Sequence, residues 1–521
     1  MQMTRERCQS DRPEQAVMSE NPEQLHKSGR RHLYLMGAML VVFTLFRIVY
    51  LQADPSGQFA NTDEGLHNND ARQIVLYGTP FYDSYNPSVL MPLFTVFKVP
   101  FLAVIGINQY GIRLPSVLCC MAAAGLLGLM LWKRGEYLAG DLVVFYLGVN
   151  YFYWCNSRLG IHEPVLIFFV TLGFYLLDEA FRSGRTGRYV GAFLCIFGAP
   201  LVKTAGVFAP AALGCCLLHR AMFDRTSVNW RAVAVATGTV MVVAAALTVF
   251  WFWPHWAELT EFFSAEVISK RTDSPAASLN RQVLLTVNLA SFPLMFAAVG
   301  VIGTVGRLLS NPRRYDGLDL ILYAWLFWAA APMIYSSIWF WRWMMWSFLP
   351  LVVAGIREFS RWIGATRELP VLQRWVPRLV VSAFLVWVPL SDLTWYEEYF
   401  RTMKFYVCEA SKRAEEVFGT DVVSGSHIDD LSCNSARLRF VSAYRHYGLE
   451  TCDEIRRAYP EPRMAPRFFS VSVGSDPAKF EENLAKWYSN CPEWKRHFKA
   501  IGITPPSNLF PERDVWLVWV D

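Results

Sequence analysis

The chain has 521 residues, of which 53% are hydrophobic and only 18% charged, and its mean hydropathy is +0.23. A soluble chain carries about 25% charged residues, so a soluble globular protein is a poor description. The net charge of +5 comes without a basic stripe interleaved with aromatics and gives no reason to expect nucleic acid as a partner.

Residues 1–32 read as a polar tail ending in Lys27, Arg30 and Arg31, with no apolar core before a small-residue cleavage site. Apolar runs long enough to cross a bilayer, or nearly so, follow at Leu33–Leu51, Leu114–Trp132, Leu138–Cys155, Pro164–Ala180, Tyr189–Val202, Gly206–His219, Ala232–Trp253, Leu285–Val305, Leu318–Ser336, Trp339–Ile356 and Pro377–Trp395. The expected architecture is therefore an all-α polytopic membrane domain of about eleven transmembrane helices over 33–395. Tyr189–Val202 and Gly206–His219 are short and meet near Lys203, either as two short helices or as one interrupted hairpin. Ser88–Gly106 is apolar but holds Pro92, Lys98 and Pro100. A central Lys costs roughly 2.5–3.5 kcal/mol on insertion scales.

Loop charge decides that segment. If it lies along the outer interface or re-enters from it, every basic cluster falls on one side: the tail, Lys133 and Arg134, Arg182 to Arg188, Arg220 to Arg231, Arg307 to Arg314, and Arg357 to Arg374. The positive-inside rule asks for that pattern. Loops 52–113 and 254–284 are then external, as is the polar region 396–521. That last region reads as a small soluble α/β domain, with strands at Phe468–Val473 and Val515–Val520 and helices at Phe400–Phe418 and Pro477–Tyr488. Its Cys408, Cys433, Cys452 and Cys491 lead us to expect at least one disulfide in an oxidising compartment. The chemistry and the C-terminal domain are expected on the non-cytoplasmic side of the membrane.

The residues that could carry chemistry gather on that face. Asp63 and Glu64 follow the first span, with His67 and Asp70 close behind. Adjacent carboxylates there could act as a general base on an acceptor hydroxyl or ligate a divalent cation. The alternative is a solvated loop or a helix start, since Asn-Thr-Asp-Glu caps helices well. Glu163 lies in Ser157-Arg158-Leu159-Gly160-Ile161-His162-Glu163-Pro164, where a carboxylate is costly unless paired or wetted; an N-terminal acid before a Pro-started helix is the plainer reading. Lys203 could snorkel or bind an anionic head group. Arg342 stands among Trp339, Trp341, Trp343 and Trp346. Tryptophan at an interface is usually a belt, but Arg also recognises phosphate with a planar fork.

In this order the residues resemble the GT-C class of polyprenyl-phosphate-sugar-dependent glycosyltransferases, above all the dolichyl-phosphate-mannose–protein mannosyltransferases and the lipid A aminoarabinose transferases. The matching stretches lie between Leu33 and Ile356: the acidic loop at Asp63-Glu64, Arg113-Leu114-Pro115-Ser116, Arg158 with Glu163, Lys203-Thr204-Ala205-Gly206, and Arg342-Trp343 leading to Leu349-Pro350. Glu163 stands where relatives often carry Asp, and Tyr85-Asn86-Pro87-Ser88 replaces a Lys-Pro-Pro of some relatives. The Trp-Trp-Asp-Tyr-Gly motif of oligosaccharyltransferases is absent from the sequence, so en bloc glycan transfer is not expected.

The resemblance implies a polyprenyl-phosphate-linked sugar as donor and a glycan, lipid or protein hydroxyl as acceptor, within membrane lipid. It implies Asp63, Glu64 and Glu163 as catalytic residues and Arg113, Lys203, Arg342 and Trp343 as substrate-binding residues. A divalent metal cation held by Asp63 and Glu163 is the one cofactor to expect. The rival is a lipid-linked-sugar flippase or secondary transporter, which calls for charges near mid-bilayer and repeated halves. A binding module on a membrane anchor would not need so many spans.

Overall fold

The computed structural model describes residues 22–53, 64–80, 89–263, 316–335, 341–365 and 371–402, and five strands beyond them. Asp63, the span expected at Leu285–Val305, the helix expected at Pro477–Tyr488, the part of Phe400–Phe418 beyond residue 402, and Cys408, Cys433, Cys452 and Cys491 lie outside the described residues.

Fourteen helices run through the described residues in chain order. They are α1 Pro22–Ile48, α2 Glu64–Tyr77, α3 Pro92–Ile105, α4 Gln109–Trp132, α5 Tyr137–Val149, α6 Tyr151–Ser157 and α7 His162–Ser183. Then come α8 Thr186–Val202, α9 Phe208–Phe223, α10 Trp230–Leu247, α11 Trp256–Phe263, α12 Gly317–Tyr335, α13 Met345–Ala365 and α14 Val371–Thr402. Among the described residues six helical stretches are long and apolar enough to cross a membrane: Gly29–Ile48, Gln109–Trp132, His162–Ser183, Thr204–Phe223, Trp230–Phe252 and Arg378–Arg401. Shorter apolar helices cover Tyr137–Val149, Thr186–Val202 and Gly317–Ala331. The protein is an integral membrane protein, and mostly helical.

Helices α4 and α7 form the centre. Ala123, Ala124 and Leu127 on α4 and Val170, Phe174 and Leu177 on α7 are buried, and α7 packs on α4 and α8. The outer helices turn apolar side chains outward, as lipid allows: Val41, Val42 and Leu45 on α1, Met241 and Val242 on α10, and Leu379 and Trp387 on α14 are exposed.

One expectation changes at the level of elements and another gains its detail. The span read as Leu138–Cys155 is broken at Asn150, whose extended backbone separates α5 from α6. Its side chain caps α6 by accepting from Tyr153 N at 3.0 Å. Asp392 of α14 accepts from Tyr151 N at 2.7 Å and from Asn150 Nδ2 at 3.2 Å, so the freed backbone has a partner inside the bundle. Ser88–Gly106, expected not to cross the bilayer, contains α3. At 14 residues this helix is about 21 Å long, short of a hydrocarbon core of about 30 Å. Its Lys98 is fully buried, not lipid-facing. The ammonium donates to Ile112 O at 2.6 Å and Ser116 Oγ at 3.1 Å and lies 5.3 Å from the Phe94 ring centre. The insertion penalty that made this Lys awkward is thus offset within the protein.

Charged groups collect at two ends of the bundle. One end holds Lys133, Arg134, Glu136, Asp178, Glu179, Asp316, Asp319, Arg357 and Arg361. Arg357 pairs with Glu136 at 2.5 Å and closely with Asp316 and Asp319. Arg134 pairs with Asp316 at 2.6 Å and closely with Asp178. Burial would raise the Asp316 carboxyl, but Arg357 and Arg134 outweigh it and hold it down to about 2. The 22 residues of α7 extend about 33 Å, and their other end begins at His162 and Glu163.

Strands β1 Val423–Ser426, β2 Arg439–Ser442, β3 Phe468–Val473, β4 Phe498–Gly502 and β5 Asp514–Val520 form one mixed sheet in the order β2-β1-β3-β5-β4. The β1–β2 and β1–β3 pairs are parallel; β5 runs antiparallel to β3 and β4.

Candidate functional site

The local sequence explains how α7 presents its first turn. Asn156-Ser157-Arg158-Leu159-Gly160-Ile161 closes α6 and leads straight into α7, where Pro164 suits a first-turn position with no partner for its missing N–H. Gly160 allows a close crossing: a Cβ there would stand 1.9 Å from Ile112 Cγ2 and 3.2 Å from Glu64 Oε1. Arg158 is directed away from this crossing. It donates to Val49 O at 2.9 Å and Tyr50 O at 2.6 Å, just past the end of α1, and stacks over Trp154 at 4.3 Å.

Glu163 is fully buried. Its Oε1 meets Lys203 Nζ at 2.5 Å and Arg342 Nε at 3.4 Å. These three groups together leave one positive charge over, and removing the buried carboxylate from between its two cations would be costly. Lys203 stands where the chain leaves α8 in extended conformation, before a tight turn over Thr204–Val207. Gly206 permits that turn, because a Cβ there would lie 2.6 Å from the backbone of Ala199. Of the two arrangements left open for this junction, two short helices meeting near Lys203 is the one found. Arg342 comes from a single helical turn, Trp341–Met344, that leads into α13.

An aromatic wall stands beside the charges. Trp343 and Trp346 stack at 5.9 Å and 17°. Lys203 Nζ lies 5.4 Å and 5.5 Å from their ring centres, within cation–π range. His162 is buried between Phe94 and His67, with ring centres 4.1 Å and 4.0 Å away. His162 Nε2, Glu163 Oε2 and Trp346 Nε1 are buried without a hydrogen-bond partner among the described residues. Each such atom costs about 1–3 kcal/mol, and a group of them calls for water or a ligand.

Glu64 and Arg113 form a second unit. Glu64 opens α2, which agrees with the helix-start reading of that acid. Arg113 donates through Nε to both Glu64 oxygens at 2.9 Å and 3.0 Å and through Nη2 to Oε2 at 2.5 Å. Its Nη1 donates to Leu51 O at 2.8 Å and Ala53 O at 2.6 Å. Glu64 also accepts from Gly160 N, and Asn68 Nδ2 donates to Gly160 O at 2.5 Å. This unit locks α2 and the end of α1 onto the loop that positions Glu163.

Of the site residues expected from sequence, Glu163, Lys203, Arg342 and Trp343 therefore come together. Glu64 and Arg113 bind each other one loop away, and Asp63 immediately precedes the described Glu64. His67, His162 and Trp346 had been given no individual role; their signal was proximity to the acids and to Arg342. For a metal, the described residues contain no group of three or more His, Cys, Asp or Glu able to hold one. Glu163 offers one open oxygen beside two cations, a poor donor set on its own.

No family model and no curated protein matches the sequence. Among solved structures, the chain is similar to ArnT from Cupriavidus metallidurans bound to undecaprenyl phosphate, with a TM-score of 0.58 and 14% identity. The match covers 93% of this chain and 97% of that one. At that identity the likeness concerns the fold, and over nearly its whole length the chain has the GT-C glycosyltransferase-type fold that its motifs resemble.

Proposed function

We propose that this protein is a membrane glycosyltransferase that moves a sugar from a polyprenyl phosphate to an acceptor hydroxyl at the non-cytoplasmic face. The observation that carries the reading is the buried Glu163–Lys203–Arg342 cluster walled by Trp343 and Trp346. Its chemistry suits a lipid-borne phosphate: two cations for the anion and aromatic faces for the prenyl chain or the sugar. The fold shared with a protein bound to undecaprenyl phosphate is consistent with it.

In the proposed step the acceptor oxygen bonds the anomeric carbon as the carbon–oxygen bond to phosphate breaks. The bonding pair departs on the polyprenyl phosphate, and the acceptor's proton passes to Asp63. Attack opposite the leaving group inverts the anomeric centre. Lys203 and Arg342 stabilise the phosphate charge as it grows, Arg342 through its planar fork. Glu163 holds both cations in place and offers its second oxygen to the acceptor. Glu64 and Arg113 serve by fixing the Gly160 loop. No step is assigned to a metal.

The test is donor-lipid binding. Native mass spectrometry of the purified protein with undecaprenyl phosphate should show one retained lipid. Lys203→Ala and Arg342→Ala should each weaken retention at least roughly tenfold, the lower range for a lost charge-assisted contact. Equal retention by wild type and both variants would overturn the assignment of the phosphate site.

A further inference from the structure

A second charged cavity lies at the opposite end of α7. Glu179 is sixteen residues beyond Glu163, about 24 Å along the helix. A cavity of about 490 Å³ there is lined by Trp132, Lys133, Tyr137, Arg182, Ser183 and Arg188, with Glu179 and Gly135. Lys133 Nζ is 2.9 Å from Glu179 Oε2, Arg188 Nη1 is 3.0 Å from the same oxygen, and Arg182 Nη1 is 3.5 Å from Oε1. Three cations thus surround one carboxylate, leaving a surplus of two positive charges around the cavity.

The cations are held in position. Lys133 also donates to Tyr175 OH at 2.8 Å, Arg182 Nη2 to Lys133 O at 3.1 Å, and Arg188 Nη1 to Glu179 O at 3.2 Å. They remain reachable, with side chains 28%, 43% and 32% exposed. Trp132 and Tyr137 pack at 6.1 Å, and the Trp132 indole donates to Gly29 O at 2.8 Å. Aromatic residues with an apolar body and a polar edge are typical of the membrane–water boundary. A fixed cationic bowl with an aromatic wall at the end of a spanning helix matches the phosphate of a lipid head group with its acyl chains alongside.

We propose that this cavity binds a phosphate anion, and that its natural source is an anionic phospholipid of the leaflet opposite the Glu163 site. Arg182, Arg188 and Lys133 contact the phosphate oxygens, Ser183 supplies a hydroxyl, and Trp132 and Tyr137 pack on the glycerol and upper chains. This inference is independent of the transfer reaction.

The experiment titrates the purified full chain with dioleoylphosphatidylglycerol, with dioleoylphosphatidylcholine as the neutral control, and follows adducts by native mass spectrometry. Inorganic phosphate is the third arm, read by its effect on thermal unfolding. Wild type should retain one phosphatidylglycerol in preference to phosphatidylcholine. Arg182→Gln/Arg188→Gln should weaken that binding roughly tenfold. Arg182→Gln alone removes the most exposed of the three cations and should give part of the loss, which covers the case where the double variant does not fold. Protection by phosphate that the variants lose, without selective lipid retention, would keep the site and identify free phosphate as its ligand. Equal retention of both lipids with no phosphate effect, or phosphatidylglycerol retention unchanged in the variants, would overturn the proposal.

Discussion

At Glu163 one carboxylate faces two cations, and that contact decides what each residue can be asked to do. Glu163→Gln keeps the size of the side chain but removes the negative charge that Lys203 and Arg342 share. We expect the variant to transfer sugar roughly tenfold to 100-fold more slowly, the scale of a lost hydrogen bond to a charged group. Added divalent cation should not restore it, because Glu163 is not part of a group of three or more metal-ligating side chains among the described residues; recovery with metal in a transfer assay would contradict that reading. Arg342→Lys keeps the charge and loses the fork. It should weaken donor use, seen as a raised KM for the lipid-linked sugar, and an unchanged KM would remove Arg342 from phosphate recognition. The types of these residues were visible in the sequence. What was hidden was their pairing, since Lys203 meets Glu163 across 40 positions and Arg113 meets Glu64 across 49. Helical periodicity carries no information over such separations. Arg113, which its motif placed on the donor, closes on Glu64.

Elements with their own apolar signal were legible. Helices α1, α4, α7, α10 and α14 each contain a long hydrophobic run, and β3 and β5 stand close to where alternation puts them. Segments whose state depends on a neighbour were not. The break at Asn150 needs Asp392 from α14 to receive the freed N–H, and Lys98 is tolerable only because α4 offers Ile112 O and Ser116. The Gly160 crossing is another such dependence and can be tested. Gly160→Ala would set a methyl group 1.9 Å from Ile112 Cγ2 and against Glu64. Overpacking of this kind costs about 1–3 kcal/mol. The apparent unfolding midpoint in detergent should fall, and transfer should fall with it because the same loop carries Glu163. A midpoint equal to wild type would mean that the crossing is not tight.

For the whole molecule, the separation of charge between the two ends of the bundle fixes how it responds to acid. Asp316 is held at about 2 by Arg357 and Arg134, below an unfolded value of about 3.9. A depressed carboxyl contributes stability that is complete above the unfolded value and is lost as pH falls through the folded one. The unfolding midpoint should therefore drop between roughly pH 4 and pH 2, and Asp316→Asn should flatten that drop; an identical acid profile in the variant would assign the sensitivity elsewhere. The same separation puts the proposed chemistry at one membrane face, with a phosphate-binding cavity at the other. The central claim, that the Glu163–Lys203–Arg342 end of the bundle transfers a sugar from a lipid phosphate, is tested most directly by single-turnover transfer. Purified protein in liposomes would be mixed with an undecaprenyl-phosphate-linked radiolabelled sugar and a fraction of outer-envelope acceptors. Label should move to the acceptor with release of undecaprenyl phosphate, and Lys203→Ala and Glu163→Gln should slow both together. Label that crosses the bilayer still attached to its lipid, with no release of undecaprenyl phosphate, would contradict transfer and establish a flippase.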